Sequence, residues 1–208
     1  MTIIVHHLEN SRSQRVLWML DELGRPHDIK RYERNKKTML APPELKAVHP
    51  LGKSPVIEDE GRVIADTGAI VEYLVEKADG RLGAPAHRDD ALQYRFWLHY
   101  AEGSMMPPLL LKLVLSRIPL FGKKAMQRIQ PMIDVHLDFV EAELAERPWF
   151  AGDAMTAADV MMSFPLEAAR ARAGLDGSRP HTIAWLNKIH ALPAYQSALR
   201  KGGPYAYA

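Results

Sequence analysis

The sequence predicts an α/β domain followed by an all-helical domain. Three observations support this fold class. Short β-branched runs alternate with amphipathic helical patterns over the first eighty residues, and no convincing strand pattern follows them. A segment rich in glycine and proline, "GRLGAPAH" at residues 80–87, separates the two textures. We therefore assign residues 1–80 to the first domain and residues 87–208 to the second.

The first domain is predicted to have the element order β-α-β-α-β-β-α. The β-branched run "TIIVHHL" at residues 2–8 predicts its first strand. A helix follows, because apolar side chains recur at helical spacing from Val16 to Leu23 and Gly24 stands as a C-terminal stop. The segment "HDIKRYE" at residues 27–33 alternates in polarity, which predicts the second strand.

The remaining elements of the first domain carry clear turn and cap residues. "APPELKAVHP" predicts a short helix, with Pro43 suited to its first turn and Pro50 ending it. "PVIEDEGRVIA" predicts two strands of a hairpin, because Gly61 adopts positive φ at little cost in the turn. "DTGAIVEYLVEKADG" predicts a helix in which Asp66 is the N-cap.

The second domain is predicted to consist of amphipathic helices. The first runs over residues 88–118, and the pair Pro107-Pro108 should kink or break it. Residues 122–146 repeat apolar side chains at helical spacing. Thr156, with Asp159 three positions later, predicts a capping box for the next helix. "TIAWLNKIHAL" and "AYQSALR" predict two closing helices.

Composition excludes several classes of function. The chain has 208 residues and a formal net charge of +2, so nothing in it demands nucleic acid or an anionic membrane as a partner. It contains no cysteine, which excludes disulfides, cysteine-ligated metals and an enzymic thiol. The nine histidines show no metal-ligand spacing, and we expect no metal. No apolar stretch is long enough to span a membrane, and we expect a soluble cytoplasmic protein.

Three polar segments are predicted to meet where strands end or helices begin, the edge at which α/β sheets bind ligands. They are "ENSRSQR", "GKSP" and "ADTG". Ser11 can donate to an anion at the start of the first helix, or it can simply cap that helix. Asp66 and Thr67 can hold an ammonium and a carboxylate, or form an ordinary cap. The dipeptide Ser54-Pro55 is either a strand entry or a cis bond that presents the Ser54 backbone to a ligand.

These motifs resemble the cytosolic glutathione S-transferases along nearly the whole chain. "HPLGKSPVIEDEGRVIADTGAIVEYL" is similar to the "NPxGKVPxLxxxxxxLxESxAIxxYL" segment of that family. "HHLENSRSQRVLWMLDEL" and "APPELKAVHPLGKSP" resemble the subgroup found in fungi and bacteria, and "FAGDAMTAADVMM" is similar to the C-terminal folding motif. The resemblance implies that the first domain is thioredoxin-like and that glutathione is the co-substrate.

The resemblance also implies a role for each glutathione-site residue. Pro55 would be cis, so that the N–H and C=O of Ser54 pair with the cysteinyl part of glutathione as a short added strand. Asp66 and Thr67 match the Glu-Ser pair that holds the γ-glutamyl end, each as a conservative departure. Lys53 matches a position that often reaches the glycine carboxylate.

Two residues compete for contact with the glutathione sulfur. Serine-type transferases place a hydroxyl after the first strand to stabilise the thiolate, and Ser11 matches that position in one alignment. In another alignment, fixed on Arg15, Asn10 falls there instead. We favour Ser11 as the catalytic residue because a hydroxyl is the stronger partner for an anion, and Asn10 remains the alternative.

The electrophile site is expected between the domains, from the first helix of the helical domain and the chain's tail. Tyr100, Ser104 and Met106 are its candidates, although core packing explains them equally well. The resemblance implies a homodimer and a detoxifying transferase that conjugates glutathione to small, apolar electrophiles. Glutathione-dependent reduction of disulfides or peroxides, and a non-catalytic binding module, are the other functions that the sequence allows.

Overall fold

The computed structural model describes residues 2–119 and 122–208. The chain divides into two compact units. The first holds the residues up to 83 together with residues 190–206 and Ala208, and the second holds residues 84–189 and Tyr207.

The first unit is built on a four-stranded mixed sheet of order β2-β1-β3-β4. Its strands are β1 (Ile3–Leu8), β2 (His27–Tyr32), β3 (Val56–Asp59) and β4 (Arg62–Ala65). β1 runs parallel to β2 and antiparallel to β3, and β3 and β4 form the predicted hairpin. Glu60 and Gly61 both have positive φ in the tight turn of that hairpin, which such two-residue turns require.

Helices α1 (Ser13–Glu22), α2 (Glu44–Val48) and α3 (Thr67–Lys77) complete the predicted order β-α-β-α-β-β-α, which is confirmed. The structure adds a helix to this unit that the sequence placed in the helical domain by position alone. α9 (Pro193–Gly202) packs against α1, with the rings of Trp18 and Tyr195 meeting edge to face at 5.4 Å between centroids. Both rings are fully buried. A helical pattern shows which face is apolar and not which partner covers it.

The second unit begins with α4 (Arg88–Tyr100) and α5 (Met106–Leu115), separated by one π-helical turn at Ala101–Met105. The sequence predicted a kink or break at Pro107-Pro108. The interruption lies directly before these prolines, because neither can donate to the carbonyl four residues earlier. Both prolines then fit within the first turn of α5, where the missing N–H groups cost nothing.

The remaining helices are α6 (Gly122–Glu146), α7 (Ala157–Arg172) and α8 (Pro180–His190). The predicted capping box at the start of α7 is confirmed, since Thr156 N donates to Asp159 Oδ2 at 2.8 Å. Asp159 is completely buried, and that burial raises the pKa of its carboxyl to about 6. Within the described parts of the chain, no helix is both long and apolar enough to cross a membrane.

Candidate active site

Ser11 lies in the loop between β1 and α1 and is 5% exposed. α1 begins two residues later, and the N–H of Ser13 donates to Ser11 Oγ at 3.2 Å. The hydroxyl of Ser11 is also 2.7 Å from the hydroxyl of Ser13. The start of a helix favours negative charge, so an anion beside Ser11 would meet both a hydroxyl donor and the helix dipole.

Ser13 and His7 form one hydrogen-bonded group with Ser11, and neither is among the residues that the sequence predicted for the site. Ser13 Oγ is 2.8 Å from Nδ1 of His7, and both side chains are buried. Burial and the positive charge of Arg31 lower the pKa of His7 to about 4, although a hydrogen bond to the Gly202 backbone opposes this change. His7 is therefore neutral at physiological pH. The only signal in the sequence was a second serine two positions after Ser11.

Asn10 directs its side chain toward the end of the chain. Its Oδ1 accepts a hydrogen bond from the backbone N of Ala206 at 2.8 Å. Arg34 holds this loop from the other direction, donating from Nε to the carbonyl of Glu9 at 3.2 Å and from its backbone N to Glu9 Oε1 at 2.8 Å. The Asn10 amide oxygen is thus already occupied by the protein.

The Ser54-Pro55 peptide bond is cis, as the resemblance implied. The Ser54 hydroxyl donates to the carbonyl of His6 at 2.9 Å and accepts from the N–H of Leu8 at 3.3 Å, so it is fastened to β1. Within residues 2–119 and 122–208, the backbone N–H and C=O of Ser54 have no hydrogen-bond partner. An unpaired donor and acceptor on one residue are the groups that an added strand would use. Lys53, beside it, is exposed.

Asp66 is the N-cap of α3, as predicted. Its Oδ1 accepts hydrogen bonds from the backbone N of Gly68 at 2.9 Å and from that of Ala69 at 3.5 Å. Its Oδ2 has no hydrogen-bond partner among the residues that the structure describes, and the side chain is exposed. Asp66 also has positive φ (74°), a conformation that L-residues rarely adopt. Thr67 is 4% exposed and occupies the first position of α3, where its N–H has no partner within the helix.

The structure brings the three predicted segments together on the first unit. The N–H of Leu8 is shared between Ser13 Oγ at 3.2 Å and Ser54 Oγ at 3.3 Å, which joins the "ENSRSQR" and "GKSP" segments. Ala65, the residue before Asp66, pairs with Val56, the residue after Pro55. All three segments therefore lie at neighbouring ends of β1, β3 and β4.

The three electrophile candidates lie in the second unit, around the end of α4. Tyr100 is half-buried, its hydroxyl is hydrogen-bonded to Nδ1 of His136, and burial raises its pKa to about 12. Ser104 is half-buried in the π-helical turn, whereas Met106 is only 3% exposed.

Among the residues described, no group of histidine and acidic side chains could hold a metal ion.

Comparison with known proteins gives a consistent result. Two family models match the chain, the N-terminal domain of glutathione S-transferases over residues 11–77 and their C-terminal domain over residues 104–193. Glutathione S-transferase 3 of Schizosaccharomyces pombe is 34% identical, with 96% of this chain and 87% of that protein covered. Glutathione S-transferase 1 of Saccharomyces cerevisiae is 32% identical over 96% and 94%. A glutathione S-transferase structure from Actinobacillus pleuropneumoniae superposes with a TM-score of 0.88 at 33% identity, covering 99% and 94%.

Proposed function

The chain belongs to the glutathione S-transferase family, and from that premise we propose that Ser11 activates the glutathione thiol for attack on small, apolar electrophiles. One observation carries the proposal. The buried hydroxyl of Ser11, at the start of α1, is hydrogen-bonded to Ser13 Oγ, and Ser13 Oγ shares the N–H of Leu8 with the hydroxyl of Ser54. Sulfur bound against that backbone would lie beside the hydroxyl.

The binding of glutathione would use the groups that the protein leaves unpaired. The N–H and C=O of Ser54 suit the cysteinyl backbone, and the free Oδ2 of Asp66 suits the γ-glutamyl ammonium. The N–H and hydroxyl of Thr67 suit the carboxylate at the same end, where the dipole of α3 adds to the attraction. Lys53 would reach the glycine carboxylate at the other end.

The energy needed for activation is within the reach of these groups. A free thiol has a pKa of about 8.5, and lowering it by about 2 units requires about 2.7 kcal/mol of preference for the thiolate. A hydrogen bond to a charged acceptor contributes roughly 1.5–3 kcal/mol. The dipole of a helix start adds roughly 0.3–1 kcal/mol. The thiol proton passes to solvent, sulfur bonds to the electrophilic carbon, and a leaving group departs with its electron pair.

Ser11 is a better candidate than Asn10 on two grounds. The oxygen of the Asn10 amide is occupied by the N–H of Ala206, which holds that side chain toward the end of the chain. A hydroxyl is also the stronger donor to a thiolate. For the electrophile, we propose that Tyr100 and Ser104 contact the substrate and that Met106 shapes the site from its buried position.

Titration of bound glutathione across pH, followed by thiolate absorbance, tests this proposal. We expect the wild type to lower the thiol pKa, and Ser11→Ala to bind glutathione with an almost normal Kd but to return the pKa toward that of the free thiol. Ser178→Ala, which alters an exposed serine of the second unit, is the matched control. A normal thiol pKa shift in Ser11→Ala, together with its loss in Asn10→Ala, would move the role to Asn10.

We further propose that the protein is a homodimer and acts in the cytoplasm, where glutathione is kept reduced. Five large apolar side chains of α4 and α6 are exposed: Leu92, Phe96, Met132, Val135 and Phe139. Phe96 and Phe139 touch edge to face at 5.9 Å, so the two helices present one apolar surface. A second copy of the chain would cover it. Light scattering should give a dimer for the wild type and a monomer for Val135→Asp, and a monomeric wild type would contradict the proposal.

A further inference from the structure

The hydroxyl of Ser13 is surrounded by four polar groups, and it is completely buried. The backbone N and O of Leu8 are each 3.2 Å from Ser13 Oγ, His7 Nδ1 is 2.8 Å away, and Ser11 Oγ is 2.7 Å away. A hydroxyl has one hydrogen to donate and two lone pairs that accept. The N–H of Leu8 can only donate, so it takes one of these lone pairs. The question is where the single hydrogen of Ser13 goes.

The second ring nitrogen of His7, Nε2, determines which group accepts the hydrogen of Ser13. The backbone of Gly202, at the end of α9, raises the pKa of His7, and the side of the imidazole that faces Gly202 is Nε2. Within a helix end, the backbone group free to pair with an imidazole is a carbonyl, so Nε2 must carry the hydrogen. Because His7 is neutral, Nδ1 is then an acceptor. The hydrogen of Ser13 therefore points at His7 Nδ1.

The remaining bond has only one consistent direction. With its hydrogen on His7, Ser13 can only accept from Ser11, and the oxygen of Ser11 in turn accepts from the N–H of Ser13. We infer that His7, acting through Ser13, is a positioning residue that fixes the direction of the Ser11 hydroxyl. The Ser11 hydrogen then points to Ser13 Oγ until the glutathione sulfur accepts the hydrogen bond instead. This inference rests on the proposed role of Ser11 in activating the thiol.

The arrangement has a measurable consequence. In the wild type, the oxygen of Ser13 competes with the glutathione sulfur for the Ser11 hydrogen. If the acceptor at Nδ1 is lost, the Ser13 hydrogen can turn to Ser11 Oγ, which is nearer than the Leu8 carbonyl. Ser11 then loses its internal acceptor and gains a donor, and hydrogen-bond chains of this kind strengthen one another. Removing the acceptor of His7 should therefore make Ser11 a stronger donor to the thiolate.

Two substitutions at His7 separate its two nitrogens. Asparagine places an amide oxygen near the position of Nδ1 and can still accept from Ser13. Glutamine places its amide near the position of Nε2 and leaves a methylene near Nδ1. We expect His7→Gln to lower the pKa of the bound thiol by about half a unit relative to the wild type, with His7→Asn restoring the wild-type value. The Kd for glutathione should stay within about twofold in both, since the contacts of Ser54 and Asp66 are untouched.

Nitrogen-15 NMR of the wild-type histidines provides a test without substitution. The free protein should show His7 protonated at Nε2 and unprotonated at Nδ1, and the opposite tautomer overturns the inference. An equal or higher thiol pKa in His7→Gln also overturns it. The Ser11→Ala variant distinguishes a failure of the inference about His7 from a failure of the proposed function. If Ser11→Ala leaves the thiol pKa unchanged, the activating role of Ser11 falls and the inference with it. If Ser11→Ala raises it but His7→Gln does not lower it, the inference alone falls.

Discussion

The carboxyl of Asp159 accepts three hydrogen bonds at the start of α7, and its removal tests how the second unit is held together. Phe150 N donates to Oδ1 at 3.1 Å, while Thr156 N and Thr156 Oγ1 donate to Oδ2 at 2.8 Å and 3.1 Å. Asp159 and Phe150 are completely buried and Thr156 is 3% exposed. Water therefore has no ready access to these donors once the carboxyl is gone.

The magnitude follows from the number of donors left unpaired. Asp159→Ala removes the acceptor of all three bonds, and each buried donor without a partner costs roughly 1–3 kcal/mol. Local relaxation will recover part of this sum, so we expect the free energy of unfolding to fall by about 3–5 kcal/mol. Domains are commonly stable by only about 5–15 kcal/mol, which makes this a large fraction of the total.

Urea unfolding followed by circular dichroism at neutral pH measures this change, at one fixed protein concentration. Asp153→Ala is the matched control, because Asp153 is an exposed aspartate in the same segment. We expect the control to change the free energy of unfolding by less than about 0.5 kcal/mol. A loss below about 1 kcal/mol in Asp159→Ala would refute the argument that these three bonds fix the start of α7.

Two further predictions concern buried charge. The fold lowers the pKa of His7 to about 4, so the stability present above the unfolded pKa of about 6.5 should be lost as the pH falls toward 4, by up to about 3 kcal/mol. In His7→Asn, the urea midpoint should change less as the pH falls through that window. A midpoint that falls as steeply with pH as in the wild type would contradict this prediction. Lys77→Met should cost about 3–5 kcal/mol, because Lys77 Nζ lies 2.7 Å from the fully buried carboxyl of Asp59. Adding Asp59→Asn should recover most of that loss, and a double variant as unstable as Lys77→Met would disprove the charge argument.

Local patterns made the elements of the fold predictable. The β-branched runs, the glycine of the hairpin turn and the caps at Asp66 and Thr156 each act over a few residues, so their effects are visible in the sequence. The same holds for the two prolines in the first turn of α5. What the sequence could not show was the partner of each apolar face, as α9 demonstrates by packing on α1.

The grouping of the candidate site residues was predictable where one motif supplies several groups, as "GKSP" and "ADTG" do. It was not predictable where distant groups meet. The bond between Asn10 and Ala206 spans 196 residues, and the contact between His7 and Ser13 joins a strand to a helix. Adjacent residues of a strand point to opposite faces of the sheet, so the sequence does not show which of His6 and His7 lies on the side of Ser13. His6 pairs with Tyr32 and Glu58, and the register of β1 alone decides that His7 faces Ser13.

The proposed roles also separate the binding of glutathione from its activation. The groups offered by Ser54, Asp66 and Thr67 would contact parts of glutathione whose charge is the same in the thiol and thiolate forms. Interactions that are equally strong in both forms lower the Kd without shifting the thiol pKa. The hydroxyl of Ser11 would differ in its proposed role, because a hydrogen bond from it to sulfur would strengthen when the thiol proton leaves. The Kd should therefore report on the "GKSP" and "ADTG" segments, while the thiol pKa reports on Ser11 and on the residues that direct its hydrogen.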